Sequence, residues 1–237
     1  MIQVKWAMIG GTGVGSRLAE LPGVPLHVPT ERGIVRGRLC SHQGVEFFAL
    51  QRHSVGHKTP PHKVNYEGFA LACRELGVKA CFSTAAVGSM RADWPAGTLV
   101  VPHDFVDVTF RQTTLFDRSV IHTDFSEPFP ARGLLLASAA SLSRPVQERG
   151  IYVCGNGPRY ETPHEIDLYS KVGDLVGMTA ASEAIAMREA GVPYACLCVV
   201  TNLACGLSTD PLSHEEVVEE MERSGERAVA ILLGATQ

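Results

Sequence analysis

The stretch VEFFALQRHSVGHKTPPHKVNYEGFALACREL, residues 45–76, sets the organisation of the chain. Val45–Leu50 is apolar and β-prone, whereas the apolar residues between Tyr66 and Leu76 have helical spacing, so a polar loop joins a strand to a helix. The loop carries an arginine and three histidines, at Arg52, His53, His57 and His62. Ligands of open α/β sheets bind where strands end, so we expect this loop to form part of a ligand site.

The composition excludes several classes of protein. The 237 residues are 45% hydrophobic with a formal net charge of −4 and no basic run, which gives no electrostatic reason to bind nucleic acid or an anionic membrane. No apolar run approaches the roughly 18 residues that span a bilayer, and the N-terminus lacks the features of a signal peptide. Seven cysteines without a CxxC pair argue against a disulfide framework or a zinc ribbon, and predict a cytoplasmic protein.

Strand and helix patterns alternate along the chain, which predicts a single α/β domain over residues 1–237 with a mixed, mostly parallel central sheet flanked by helices. Residues 17–33 are rich in Pro and Gly and predict a loop with a short strand. The predicted strands are Val4–Ile9, Ile34–Cys40, Val45–Leu50, Ala80–Thr84, Thr98–Val101, Asp104–Val108, Gly150–Cys154, Leu175–Met178 and Tyr194–Val200. Further helices are predicted over 131–148, 163–172, 179–190 and 213–233. Residues 109–130 lack periodicity, which is typical of a functional or interface loop.

The histidines of the opening stretch could suggest a metal site, but their spacing across two prolines does not place them on one helical face. The expectation is therefore no metal, with His57 and His62 as framework or loop residues. Arg52 and His53 suit an anion instead, because arginine offers a rigid fork of donors. Small or hydroxyl residues follow other predicted strands, where open backbone amides could complete an oxyanion site: Thr12, Ala85, Ala86 and Thr179. Ala85 and Ala86 belong to a small-residue loop that is predicted at Ala85–Ser89.

A second group of residues suits a heterocycle. Tyr160 can stack on a ring, the carboxylate of Glu161 can accept from ring N–H groups, and the amide of Asn202 can both donate and accept. Tyr160 as a core residue and Asn202 as a turn cap are equally compatible with the spacing.

Taken together, these motifs resemble the trimeric purine nucleoside phosphorylase family, nearest its methylthioadenosine phosphorylase branch. The matching stretches cover most of the chain in the family's order: GGTG (10–13), RHSVGHKTPPHKVNY (52–66), TAAVGS (84–89), HTDFSEPF (122–129), GPRYET (157–162), VGMTAASEA (176–184) and VTN (200–202).

The resemblance implies the nucleoside-phosphorylase fold and phosphorolysis of a purine nucleoside, with inorganic phosphate as co-substrate and no cofactor. It places the phosphate on Thr12, Arg52, His53, Ala85, Ala86 and Thr179. Met178 would lie against the ribose, Tyr160 would stack on the base, and Glu161 and Asn202 would line the base edge, with Asn202 donating to the departing purine as the catalytic group. The family also implies a homotrimer with sites near subunit interfaces, where His122 would serve the neighbouring subunit's site.

Five positions depart from the pattern of the family or of its methylthioadenosine branch. Adenine-specific relatives carry aspartates where this chain has Asn202 and Ala204, and a serine where it has Glu161, so these departures favour a 6-oxopurine. His214 aligns with a histidine that faces a 5′-hydroxyl in inosine and guanosine enzymes. Ser182 replaces a common proline, so the helix after Thr179 could start differently.

We therefore expect a phosphorylase acting on 5′-methylthioinosine or on inosine and guanosine. The alternatives are a methylthioadenosine phosphorylase, a non-catalytic small-molecule binder on the same fold, and a nucleoside hydrolase that uses water.

Overall fold

A computed structural model describes residues 2–208 and 213–237 of the protein. The strands are β1 (Trp6–Gly10), β2 (Gly23–Thr30), β3 (Gly33–His42), β4 (Val45–Gln51), β5 (Ala80–Ser89), β6 (Leu99–Val100), β7 (Asp104–Asp107), β8 (Ile151–Cys154), β9 (Leu175–Gly177) and β10 (Tyr194–Leu203). The helices are α1 (Val14–Glu20), α2 (Tyr66–Glu75), α3 (Arg132–Ser141), α4 (Pro163–Tyr169), α5 (Ala180–Glu189) and α6 (His214–Gly234).

All ten strands described join one mixed sheet. Eight run in the order β2-β3-β4-β1-β5-β9-β8-β7, while β10 pairs with β5 and β6. Five of the nine pairings are parallel and four are antiparallel. The predicted α/β fold with a mixed, mostly parallel sheet is confirmed.

Helices cover both faces of the sheet, and the side chains of β10 alternate between two apolar cores. Tyr194, Cys196 and the other even-numbered residues up to Val200 pack in the core that includes α2 and α5. The odd-numbered residues between Ala195 and Val199 pack in the core that includes α1, α3 and α6. Because both faces of β10 are buried, its sequence is a continuous apolar run.

Strand β5 has a stretch of uncovered edge in the middle of the sheet. Its residues 80–83 pair with β1, and Gly88 and Ser89 pair with β9 on the same side. Strand β10 pairs along the other side over almost the whole length of β5. Residues 84–87 therefore have no strand partner on the β1 side, and the ends of β1, β4 and β9 converge around this gap.

Two predictions about local structure are wrong. Residues 17–33 are not a loop with a short strand: they hold the end of α1 and the eight-residue strand β2. Strand β2 contains Pro25 and Pro29, which are tolerated because β2 lies at the edge of the sheet. Ala85–Ser89 is not a loop but the second half of β5, since its backbone pairs with β10.

The helix predicted over 131–148 ends at Ser141. Ser143 has a left-handed backbone with φ of 51°, and Pro145 disfavours helical geometry at the residue before it. The strands predicted at Ile34–Cys40 and Val45–Leu50 are present as β3 and β4, which form an antiparallel pair. The helix predicted from residue 213 is α6, and the Ser213 hydroxyl caps it by accepting from the Glu216 amide. No helix within residues 2–208 and 213–237 is long and apolar enough to cross a membrane.

Gly77 and Gly133 allow a matched test of the backbone. Gly77 follows α2 with φ of 70°, whereas Gly133 lies inside α3, and an added Cβ would meet no atom within 4 Å at either site. Gly77→Ala should lower the free energy of unfolding by about 1 kcal/mol, because an L side chain strains the left-handed backbone. Gly133→Ala should raise it by about 0.5–1 kcal/mol, because alanine favours helix. Urea denaturation measures both, and equal effects would contradict the assignment.

Candidate functional site

A cavity of about 430 Å³ opens at the gap beside β5. Twelve of the thirteen residues predicted for the site line it: Thr12, Arg52, His53, Ala85, Ala86, Tyr160, Glu161, Met178, Thr179, Asn202, Ala204 and His214. His122 lies on the exposed surface outside this cavity, so its role toward a neighbouring subunit stays a prediction.

Arg52 is the buried cation of the cavity, with only 2% of its surface exposed. Its Nε donates to Glu183 Oε1 at 2.5 Å and its Nη2 donates to Glu183 Oε2 at 2.9 Å. Its Nη1 donates to the Thr84 carbonyl at 2.8 Å. These three bonds fix the guanidinium and leave one N–H on each Nη for a ligand. Burial alone would lower the pKa of Arg52, but the charge of the Glu183 carboxylate and its hydrogen bonds outweigh burial and raise this pKa, so the side chain stays charged.

Glu183 was not predicted as a site residue, although it lies within the VGMTAASEA stretch. It is 1% exposed, and its Oε2 also accepts from the Tyr194 hydroxyl at 2.6 Å. The Tyr194 hydroxyl lies 2.6 Å from Ser83 Oγ in turn. A glutamate in an alanine-rich, otherwise buried helix is the signal that could have marked it, because buried charges are paired.

The backbone supplies donors at the gap. The Thr84 carbonyl points away from β10, since it accepts from Arg52, and amides two residues apart on a strand point to the same edge. The Ala86 N–H therefore faces the gap, while Ala85 turns its backbone toward β10. Gly11 also borders the gap: a Cβ there would lie 2.4 Å from Arg52 Nη1, so the turn requires glycine for this close approach.

Thr179 joins the site from another element, because β9 runs antiparallel to β5 and ends opposite its middle. It precedes the first residue of α5, and its side chain makes no capping bond to the helix. Its amide donates instead to the buried Tyr152 hydroxyl at 3.2 Å. The Thr179 hydroxyl lines the cavity at the positive end of the helix dipole.

Three histidine rings form one side of the cavity, although His57 was predicted as a framework residue. The rings of His53 and His57 are 4.4 Å apart, and those of His57 and His214 are 5.3 Å apart. Burial, followed by the charge on Arg52, lowers the pKa of His53 to about 4, and burial lowers the pKa of His57 as well. Within the described part of the chain, no three His, Cys, Asp or Glu side chains are placed to share a metal ion.

Asn202 sits at an irregularity of β10. Val200 pairs with Val87 and Asn202 with Gly88, so Thr201 is an extra residue in the register. The Thr201 hydroxyl donates to Asn202 Oδ1 at 2.8 Å, and Asn202 Nδ2 donates to the Leu203 carbonyl at 2.8 Å. These bonds orient the amide and leave its second N–H for the cavity, so the turn-cap alternative does not describe this side chain.

Glu161 lines the same cavity as Asn202 and lies in the loop after β8. Burial raises the pKa of its carboxyl group. A Cβ at Gly155 would lie 2.6 Å from Glu161 Oε1, so glycine makes room for the carboxylate. Neighbouring Tyr160 is 37% exposed and lines the cavity, so it is not the core residue that its spacing also allowed.

Arg111 links several segments beside the cavity through hydrogen bonds. It was not predicted as a site residue, because a single arginine in an aperiodic loop carries no sequence signal. Its Nη1 donates to the Met178 carbonyl at 2.9 Å and to Ser182 Oγ at 3.1 Å. Its Nη2 donates to the Asn156 carbonyl. Ser182, which stands where the resembled family has proline, thus provides an acceptor for Arg111. The helix start around it is the predicted one.

A second cavity of about 660 Å³ adjoins the first. Four residues line both cavities and so lie between them: Thr12, His53, His57 and His214. The second cavity extends along the glycine turn after β1.

The site combines a buried arginine, an uncovered strand edge, a carboxylate and an amide, and comparison with known proteins assigns the chain to a family. The family model described as "Phosphorylase superfamily" matches residues 7–237. The chain belongs to this superfamily. The resemblance based on its motifs is therefore confirmed.

The phosphorylases that are similar to this chain match nearly all of it. The 6-oxopurine nucleoside phosphorylase of Pyrococcus furiosus is 39% identical over 241 residues, which cover 97% of this chain and 91% of the relative. A protein of Methanopyrus kandleri named "Probable S-methyl-5'-thioinosine phosphorylase" is 38% identical over 95% of this chain and 89% of the relative. The solved methylthioadenosine phosphorylase of Schistosoma mansoni, in complex with adenine, has a TM-score of 0.93 at 29% identity, covering 99% and 91% of the two chains.

The depressed pKa of His53 makes stability depend on pH. The neutral ring is favoured in the folded protein, so its contribution is present above the unfolded pKa of about 6.5 and is lost as the pH falls toward about 4. The free energy of unfolding should fall by about 3 kcal/mol across this window from His53 alone. His53→Asn, which keeps a donor for the Thr59 carbonyl, should reduce that loss, whereas exposed His62→Asn should leave it unchanged. Urea denaturation at several pH values measures the effect, and identical pH curves for wild type and His53→Asn would refute it.

Proposed function

We propose that the chain catalyses phosphorolysis of a 6-oxopurine nucleoside, giving the free purine and a ribose 1-phosphate. The observation that carries the proposal is the oriented amide of Asn202, which keeps one N–H for a cavity that Glu161 also lines. A 6-oxopurine presents an acceptor oxygen and ring N–H groups, which match this donor and acceptor.

Strand β5 sets the distance between the proposed phosphate position and the proposed base position. Phosphate is proposed to bind at residues 84–86 with Thr12, Arg52, His53 and Thr179, and the base at Gly88 beside Asn202. Two residues of strand separate Ala86 from Gly88, or roughly 7 Å, which leaves room for the ribose between the reacting groups. Met178 lines the cavity at this level and would contact the sugar.

The chemistry follows from charge. A phosphate oxygen attacks C1′ as the C1′–N9 bond breaks, so positive charge develops on the ribose and negative charge on the purine. The phosphate stabilises the first, and the Asn202 N–H stabilises the second by donating to the base. Losing one preorganised donor of this kind typically costs ~10²–10³ in rate. The proposed step needs no metal and no redox cofactor.

The names of the relatives support a 6-oxopurine base. They leave two possibilities, a hydroxyl or a methylthio group, for the 5′ position of the ribose. The Pyrococcus furiosus relative is named a 6-oxopurine nucleoside phosphorylase, and the Methanopyrus kandleri one is named for S-methyl-5′-thioinosine. His214 and His57 at one side of the cavity support a 5′-hydroxyl, because an imidazole can hydrogen-bond to it.

We also propose a cytoplasmic homotrimer in which His122 reaches the neighbouring site. Exposed Phe110, Val120 and Ile121 in the same loop support an interface there. The six buried free thiols support a reducing compartment.

A substrate panel tests the reaction. Inosine, guanosine, methylthioinosine and methylthioadenosine are incubated with the protein with and without phosphate, and base release is measured by chromatography. We expect phosphate-dependent release from the 6-oxopurine nucleosides, with Arg52→Met as an inactive control. Release from methylthioadenosine alone would reject the 6-oxo assignment. Release without phosphate would indicate a hydrolase, and tight binding without turnover would indicate a binder.

Asn202→Asp tests the base assignment separately. Aspartate cannot donate to a 6-oxo group but can accept from a 6-amino group, so the ratio of kcat/KM for adenine over 6-oxopurine nucleosides should rise by about 10- to 100-fold. Asn65→Asp is the matched control, because Asn65 does not line the cavity. Aspartate keeps the oxygen that caps α2 and loses only the bond from Nδ2 to the Arg32 carbonyl. An unchanged ratio in Asn202→Asp would remove Asn202 from base recognition.

A further inference from the structure

The buried pair of Arg52 and Glu183 bears on how the proposed phosphate site is charged. Both side chains are almost fully enclosed, and the two carboxylate oxygens face Nε and Nη2 of the guanidinium. The pair is bidentate, so the positive charge of Arg52 is matched by a negative charge on the side away from the cavity.

Glu183 has a further hydrogen-bond partner outside the cavity. The Tyr194 hydroxyl donates to its Oε2, and Ser83 Oγ contacts that hydroxyl. Neither Tyr194 nor Ser83 lines the cavity, so their contacts act on the phosphate site only through Glu183 and Arg52.

The remaining groups add little positive charge. His53 is neutral near pH 7, because burial and Arg52 oppose its protonation. The other charged groups that line the cavity are Lys58, which is exposed, and Glu161, which belongs to the base side. The donors of the phosphate site are then the free N–H groups of Arg52, the Ala86 amide and the hydroxyls of Thr12 and Thr179.

We propose that Glu183 is a positioning residue that cancels the charge of Arg52, so that bound phosphate keeps its own negative charge for the ribose. The inference rests on the proposed function. A site that neutralised phosphate would bind it more tightly but would weaken its attraction for the positive charge developing at C1′. Glu183 thus trades phosphate affinity for turnover.

Glu183→Gln removes the charge and keeps the shape. The KM for phosphate should fall by roughly 10-fold, because Arg52 is left uncompensated, and kcat should fall by roughly 10- to 100-fold. Glu183→Asp keeps the charge and should retain a phosphate KM within about threefold of wild type. Tyr194→Phe is the matched control: it removes a buried bond to Glu183 without changing charge, and should leave the phosphate KM within the same range.

A merely structural role makes the opposite prediction. If Glu183 only holds Arg52 in place, Glu183→Gln raises the phosphate KM as kcat falls, and Tyr194→Phe shifts both in the same direction. Either result overturns the proposal.

Two further measurements keep the test independent of folding and of turnover. If Glu183→Gln does not fold, the phosphate KM of the wild type is measured from 20 mM to 300 mM chloride. A site without net charge predicts a change below about twofold, whereas a steep rise indicates a cationic site and overturns the proposal. If the wild type cleaves no nucleoside, the proposed function fails. The charge of the anion site can then still be compared between wild type and Glu183→Gln by the rise in Tm that inorganic phosphate causes in each protein. A larger rise in Glu183→Gln supports charge cancellation, and an equal or smaller rise refutes it.

Discussion

The site depends on how strand β5 is shared among its neighbours. Along one side β5 pairs first with β1 and last with β9, and between them residues 84–87 have no strand partner. Unpaired backbone in the interior of a sheet is costly unless something else bonds to it. Here Arg52 donates to the Thr84 carbonyl, and the next outward-facing amide is left for a ligand. The cavity exists because two strands of opposite direction meet the same strand without touching each other.

The buried ion pair completes that arrangement. A lone guanidinium at the gap would be expensive to bury, and Glu183 compensates it from the first turn of α5. Thr179 directly precedes the same helix, which carries Ser182, an acceptor for Arg111. One short helix therefore contacts both Arg52, through Glu183, and Arg111, through Ser182.

The sequence predicts the parts of this site that end strands. Arg52 and Asn202 are polar residues at or just after the ends of apolar runs, so their position at the sheet edge can be predicted from the sequence. The order of most strands and helices can be predicted as well. Glu183 and Arg111 depend on partners distant in sequence, such as Arg52 131 residues away, and no local pattern marks them. The length of strand β2 was underestimated, because its prolines are acceptable only at an edge, which is a property of the whole sheet. The loop predicted at Ala85–Ser89 was wrong because small residues suit both a loop and a strand that must approach a ligand.

The extra residue in β10 determines which side chains of this strand reach the cavity. In a regular strand, neighbouring side chains point to opposite faces, so Thr201 and Asn202 could not both line the cavity. The irregularity lets both do so, and the threonine hydroxyl then decides which end of the Asn202 amide is free. The proposed recognition of the base would thus depend partly on chain length: deleting one residue near position 201 would restore regular alternation and turn the Asn202 side chain to the other face of the strand, an outcome that no single side-chain replacement reproduces.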